Sequence, residues 1–176
     1  MTGLQGNEVS VGWPRRRITC RRLTLGWQHA TRPANLREHQ DRYGPLPPAS
    51  QQSPQYLADA IAAAQLTGRG GAGFPTAVKM RAVAERRGPA VVVANGVESE
   101  PASRKDQALL ARAPHLVLDG ALLAARAVGA DVIHVCLDRT RDKQAGVMLR
   151  AISERQRAGT PPVILHSRAG RAGGRK

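Results

Sequence analysis

The spacing of apolar residues changes along the chain. Up to residue 50 it follows neither a helical nor a strand period, and Pro14, Pro33, Pro45, Pro47 and Pro48 interrupt the runs. Residues 1–50 are therefore expected to be a loop-rich or disordered lead-in, with a short helix over Arg37–Tyr43 before Gly44-Pro45. From Ser53-Pro54, a good N-cap followed by a proline that needs no donor, a helix is predicted to about Leu66, with Leu57, Ala58, Ile61 and Ala64 on its apolar face. Residues 68–75 must be irregular. Thr76 opens a second predicted helix with Val78, Ala82 and Val83 inward, closed by Gly88. The β-branched run Ala90–Ala94 reads as a strand covered on both faces. Two helices broken at Pro114, a strand over Val132–Leu137, an amphipathic helix over Arg141–Ala158 with Val147, Leu149, Ala151 and Ile152 apolar, and a strand over Pro162–His166 complete the pattern.

Helices and strands that alternate in this way specify an α/β protein: a partial Rossmann-like three-layer fold with a mostly parallel sheet. The α/β domain is expected over residues 51–167, with a flexible tail over 168–176. Open sheets of this kind collect ligands outside the carboxyl ends of their strands, which directs attention to the stretch from Asn95 to Asp106.

Charge and cysteine content narrow the function. The formal net charge is +14, but residues 51–138 hold nine Lys/Arg against eight Asp/Glu, so the excess sits in the two ends. No aromatic-interleaved basic face accompanies those ends, so nucleic acid is not expected as a partner; a basic nucleic-acid-associated protein stays as the alternative from another class. The two cysteines, Cys20 and Cys136, form no paired motif, so neither zinc nor iron–sulfur ligands are expected within this chain, and Cys136 reads as a small core residue. Asp119, Arg126 and Asp131 interrupt the most apolar run, so no membrane span is expected; a cytoplasmic location is, with membrane contact only through partners.

The most informative stretch is Gly68-Arg69-Gly70-Gly71-Ala72-Gly73-Phe74-Pro75-Thr76. Four glycines in six positions bring the backbone close to a ligand, and amides running into a helix N-terminus attract phosphate. The stretch contains G-x-G-x-x-G, but it follows a helix rather than a strand, so it is no Rossmann fingerprint; a tight helix–helix connection could use the same residues. Lys79, one turn into the next helix, can reach back to a phosphate. Asn95, Glu98 and Glu100 leave the first strand carrying donors and acceptors suited to a heterocycle edge and to sugar hydroxyls.

The combination is more specific than its parts. The glycine loop with Phe74 and Lys79, then Asn95-x-x-Glu98-x-Glu100-Pro101 and Lys105-Asp106, resembles the flavin-carrying, NADH-oxidising subunit of respiratory complex I and its counterparts in NAD-reducing hydrogenases, formate dehydrogenases and the Rnf complex. The resemblance implies FMN held by Gly68, Arg69, Gly70, Gly71, Ala72 and Gly73. It places Lys79 near the phosphate, Asn95 near the ring or ribityl chain, Phe74 beside the nucleotide, and Glu98 or Glu100 on the nicotinamide side where NAD(H) binds as substrate. It further implies iron–sulfur electron-transfer subunits or domains as partners. Val97, Ser99 and Met80 depart from the family wording, which has an aspartate, a glycine and an aromatic there. The likeness is followed to about Leu137, and nothing from Arg168 onward matches it. The family's later acidic segment, ubiquitin-like domain and cluster-bearing cysteines have no counterpart in the sequence, so a truncated member is expected, with a non-catalytic remnant of the flavin domain as the alternative.

Overall fold

The computed structural model describes Thr24, Trp27 and residues 30–68, 72–97, 103–138, 142–158 and 160–167. Helix α1 (Leu36–Tyr43) starts one residue before the stretch the sequence suggested, because Asn35 and Glu38 cap each other. The Asn35 side chain accepts the Glu38 amide at 2.9 Å, and the Glu38 carboxylate accepts the Asn35 amide at 3.0 Å. Helix α2 (Pro54–Ala63) starts as expected, with the Ser53 hydroxyl accepting the Tyr56 amide. Helix α3 spans Thr76–Ala84, α4 Lys105–Arg112, α5 Pro114–Val128 and α6 Asp142–Arg157; the strands are β1 (Ala90–Gly96), β2 (Ala130–Leu137) and β3 (Val163–Ser167).

The expected parallel α/β fold is present. β1 pairs with β2 and β2 with β3, both parallel, in the order β1-β2-β3. When strand order follows chain order and both crossovers have the same hand, their helices fall on the same side of the sheet. α5 and α6 accordingly share one core with the sheet. Leu118, Leu122, Met148 and Ile152 meet Ile133, Val135, Leu137 and Val163, with Leu110 of α4 at the edge.

That one-sidedness overturns the expectation that β1 is covered on both faces. Its residues alternate half-buried and exposed, with Val91 and Val93 more than half exposed. It also corrects Cys136, which lies on the side of β2 opposite Ile133, Val135 and Leu137 and is only half-buried. Three helix details change as well. α3 ends at Ala84, and Gly88 serves instead at positive φ in the turn before β1. Val78, Ala82 and Val83 are exposed, because α3 turns Ala77 inward. On α6 the buried stripe runs Ala145, Met148, Ile152 and Arg155, a three-and-four spacing that leaves Leu149 in solvent and Val147 only half-buried.

Arg155 on that stripe anchors a buried polar network. Its guanidinium bonds the Asp119 carboxylate at 2.5 Å and the His115 carbonyl at 2.8 Å, and Asp119 also holds His39 of α1 at 2.6 Å. Arg155 Nε–H donates to His115 Nδ1 at 3.2 Å, which leaves the His115 proton on Nε2, facing Glu154 at 3.2 Å. Glu154 also accepts the Leu36 amide at 2.7 Å, and Arg126 donates to the Pro47 carbonyl and the Gln52 side chain. α1 and the segment after it are thus tied to the helical layer by polar contacts.

Burial, then the neighbouring Arg155 charge, pushes the His115 pKa down from 6.5 to about 4. Between those values the unfolded chain binds a proton that the folded chain refuses. Stability should therefore fall as pH drops from 6.5 toward 4, and this contribution should be constant above that window. Thermal melts across the window should show a steeper acid-side decline in the native sequence than in His115→Gln; equal slopes would dismiss the assignment.

No single helix among the described residues is long and apolar enough to cross a membrane. α4 and α5 reach that length together only across a bend of 100°.

Candidate functional site

The glycine-rich segment is a latched loop joining α2 to α3. Thr67 and Pro75 face each other in an antiparallel bridge, Gly68 N–H donates to the Phe74 carbonyl at 3.0 Å, and Thr76 N–H donates to the Leu66 carbonyl at 2.9 Å. Gly73 holds φ +58°, in the left-handed region where a side chain is strained, although open space surrounds the position a Cβ would take. Ala72 is exposed. Arg69, Gly70 and Gly71 lie outside the described residues.

The loop delivers the chain directly into α3, whose N-cap is Pro75. Proline offers no side-chain acceptor, and no side chain caps the helix. The amides that follow Thr76 are left for an acceptor from outside, at the positive end of the helix dipole. Lys79 is exposed, and its ammonium stands 5.3 Å from the centroid of the half-exposed Phe74 ring. Phe74 and Val78, four residues apart, leave apolar surface beside the loop. Asp59 of α2 receives Arg81 of α3 at 2.6 Å, which fixes the angle between the helices flanking the loop. Pairs this exposed contribute little stability, so the contact orients more than it stabilises.

Asn95 sits on the exposed face of β1 near its carboxyl end, where its side-chain oxygen accepts the Val97 amide at 3.1 Å. The bond curls the chain into an Asx turn and leaves the side-chain NH2 available as a donor. Gly96 is required by packing. A Cβ there would meet Leu110 Cδ1 at 2.8 Å, the Cys136 carbonyl at 3.0 Å and Leu137 Cδ2 at 3.1 Å. Overpacking of this kind costs about 1–3 kcal/mol. Gly96→Ala should lower the melting temperature by several degrees, whereas Gly120→Ala in α5, whose Cβ meets nothing, should be neutral or stabilising. Equal melting temperatures for the two variants would refute the close approach of α4 to β1.

The structure thus brings Phe74 and Lys79 together beside the loop and places Asn95 at the end of β1. Among the described residues no hydrogen bond joins Asn95 to the loop or to Lys79, and Glu98 and Glu100 lie outside them. Cavities flank α1 instead. One, of about 140 Å³, is lined by Asn35, His115 and Glu154; a second, of about 450 Å³, by His39, Asp119, Arg126 and Arg155; a third, of about 350 Å³, by Glu38, Arg42 and Arg112. His39, His115, Asp119, Arg126, Glu154 and Arg155 in these walls are engaged in the buried network already described, and Glu38 is held by Arg32. Sequence reasoning missed Asp59, Arg81 and the packing role of Gly96; the Asp59–Arg81 pair spans two helices and leaves no periodic signal.

The family model described as the Nuo51 FMN-binding domain matches residues 61–172. The match carries the likeness past Leu137 and into the first residues after Ser167, further than the sequence motifs alone suggested. The chain is 32% identical over 117 residues to the F subunit of NADH-quinone oxidoreductase from Aquifex aeolicus (strain VF5), covering 66% of this chain and 28% of that protein. It is 35% identical over 108 residues to the corresponding NADH-quinone oxidoreductase protein of Rhodobacter capsulatus, covering 59% and 25%. A chain of an NAD+-reducing [NiFe]-hydrogenase in the H2-reduced state superposes with a TM-score of 0.56 at 33% identity, over 69% of this chain and 22% of that one. The chain spans about a quarter of the length of the curated relatives it matches.

Proposed function

Because the chain belongs to the Nuo51 FMN-binding domain family, we propose that it contributes the nucleotide cradle of an NADH-oxidising flavoprotein that passes electrons to iron–sulfur partners. The single observation that carries this reading is the latched glycine loop opening into the uncapped N-terminus of α3, with Lys79 beside it.

The donor set fits a phosphate monoester. Backbone amides of the loop and the first turn of α3 supply neutral donors, and Lys79 supplies a mobile positive charge. Phe74 and Val78 provide an apolar wall against which a planar heterocycle can rest. The free NH2 of Asn95 can donate to a carbonyl at the ring or ribityl end, and Glu98 or Glu100 can accept hydroxyls of the flavin or of NADH. The bound flavin would supply the two-electron to one-electron conversion, while these residues bind and orient it. Since the chain spans about a quarter of its relatives, NADH oxidation and iron–sulfur partners are part of the proposal.

A second reading, that the chain keeps the cradle without enough wall to retain flavin, is favoured by the uncovered face of the sheet. Titrating the purified chain with FMN and following quenching of flavin fluorescence separates the two. Saturable binding of one FMN per chain supports the first reading; linear, unsaturated signal to high micromolar FMN supports the second.

A further inference from the structure

We propose that His134 of β2 and His166 of β3 form a two-imidazole site for a divalent transition-metal ion on the open face of the sheet. The pair shares no residue with the flavin cradle, although Asn95 lies on the same face of the sheet.

The strand register sets the pair. His134 lies opposite Ile164, and Cys136 lies opposite His166, so the two histidines are diagonal neighbours across parallel strands. Both point away from the core, because Ile133, Val135 and Leu137 take the covered side of β2 and Val163 the covered side of β3. Their rings approach to 5.0 Å between centroids, and His134 Nδ1 stands 2.7 Å from His166 Nε2. Two ring nitrogens at that distance share one proton, with one as donor and the other as acceptor. If the donor ring moves its proton to its other nitrogen and both rings swing about 45° off the N···N line, the two lone pairs converge on one ion.

The separation discriminates between metals. With metal–nitrogen bonds of about 2.0–2.1 Å, two cis ligands at a right angle stand about 2.9 Å apart, and two tetrahedral ligands about 3.4 Å apart. The hydrogen-bonded 2.7 Å is shorter than both and needs the smaller widening, about 0.2 Å, to reach the right-angle bite. Ni2+ and Cu2+ favour that bite together with imidazole nitrogen, whereas Zn2+ favours the tetrahedral one. That swing falls on the broad χ2 torsions of half-exposed and exposed side chains. No group of three or more His, Cys, Asp or Glu side chains forms a metal cage among the described residues, so water completes the coordination.

The two ligands are 32 residues apart in sequence and meet only in the folded sheet. The ion therefore binds the folded chain in preference to the unfolded one and raises its stability by linkage. Calorimetric titration of the untagged chain with Ni2+ should give one site. Loss of a direct ligand costs at least as much as loss of an outer-shell partner, so His134→Gln and His166→Gln should each weaken binding about 10- to 100-fold. Ni2+ should also raise the melting temperature of the native sequence and not of either strand variant, a readout that needs no flavin. Affinity that survives both strand substitutions, absence of a saturable site, or tighter binding of Zn2+ than of Ni2+ would overturn the proposal. FMN titration in the same variants should be unaltered, which keeps failure of this site distinct from failure of the cradle.

Discussion

Lys79→Ala should weaken FMN binding about 10- to 100-fold and leave riboflavin binding within about twofold of the native value. A charge-assisted hydrogen bond contributes about 1.5–3 kcal/mol, which converts to that range in affinity. Riboflavin lacks the phosphate, so a lysine that acts on the phosphate has nothing to lose with it. The substitution also removes the cation from above Phe74, an exposed contact of about 0.5–1 kcal/mol that should scarcely move the melting temperature. Gly73→Val complements it. The valine Cβ would meet no atom, so the substitution probes the positive φ of the loop rather than space. Holding a β-branched residue there costs about 1–3 kcal/mol, and relaxation of the turn to avoid that cost would turn the amides away. FMN and riboflavin should both weaken in this variant, because the loop itself moves. Equal losses for the two flavins in Lys79→Ala would place the lysine elsewhere than at the phosphate.

Asp119→Asn should be the most destabilising single change in the polar network. Arg155 is 4% exposed and relies on Asp119 for its counter-charge, while His39 relies on the same carboxylate. Removing one partner of a buried pair costs about 3–5 kcal/mol, since the remaining charge stays in a poorly solvating site. For a domain of this size that corresponds to a fall of roughly 10 °C or more in melting temperature. Replacing both charges at once, with Asp119→Leu and Arg155→Met, should recover most of the loss, because no uncompensated charge is then buried. A double variant as unstable as the sum of its single changes would show that the pair contributes through packing or through His39 instead.

Much of the fold was legible where one physical signal dominated. Ser53-Pro54 marked the start of α2, Pro114 marked the break between α4 and α5, and β-branched runs marked all three strands. What failed was inference about facing. An uninterrupted apolar run such as Val91–Val93 is compatible with burial on both sides, but the crossovers cover only one, and topology is not written in a seven-residue window. The orientation of α3 was misread because its short stripe allows two apolar faces; Ala77, the least conspicuous residue, is the buried one. The buried network of His115 and Asp119, four apart on α5, and Arg155, three after Ile152 on α6, was not inferred from the sequence. Polar residues in register with an apolar stripe were the available sign of a buried network. In the candidate site, the glycine loop, Phe74 and Lys79 stand out in the sequence, but the approach of Lys79 to Phe74 does not. The latching hydrogen bonds, the Asx turn at Asn95 and the demand for glycine at 96 depend on how the backbone is placed, which residue type alone does not fix.

The order of the strands along the sheet has a bearing on how the protein assembles. Each strand needs only its predecessor, so β1, the helices after it and β2 can close while later residues are still being synthesised, and β3 adds to an edge already in place. Helix α1 is made before the other named helices and strands but must wait, since its partners Asp119 and Glu154 come 80 and 118 residues after His39 and Leu36. Contacts of such long range close slowly. The amino-terminal helix should therefore be the final piece to dock, and in pulse-labelled hydrogen exchange its amides should gain protection after those of the sheet.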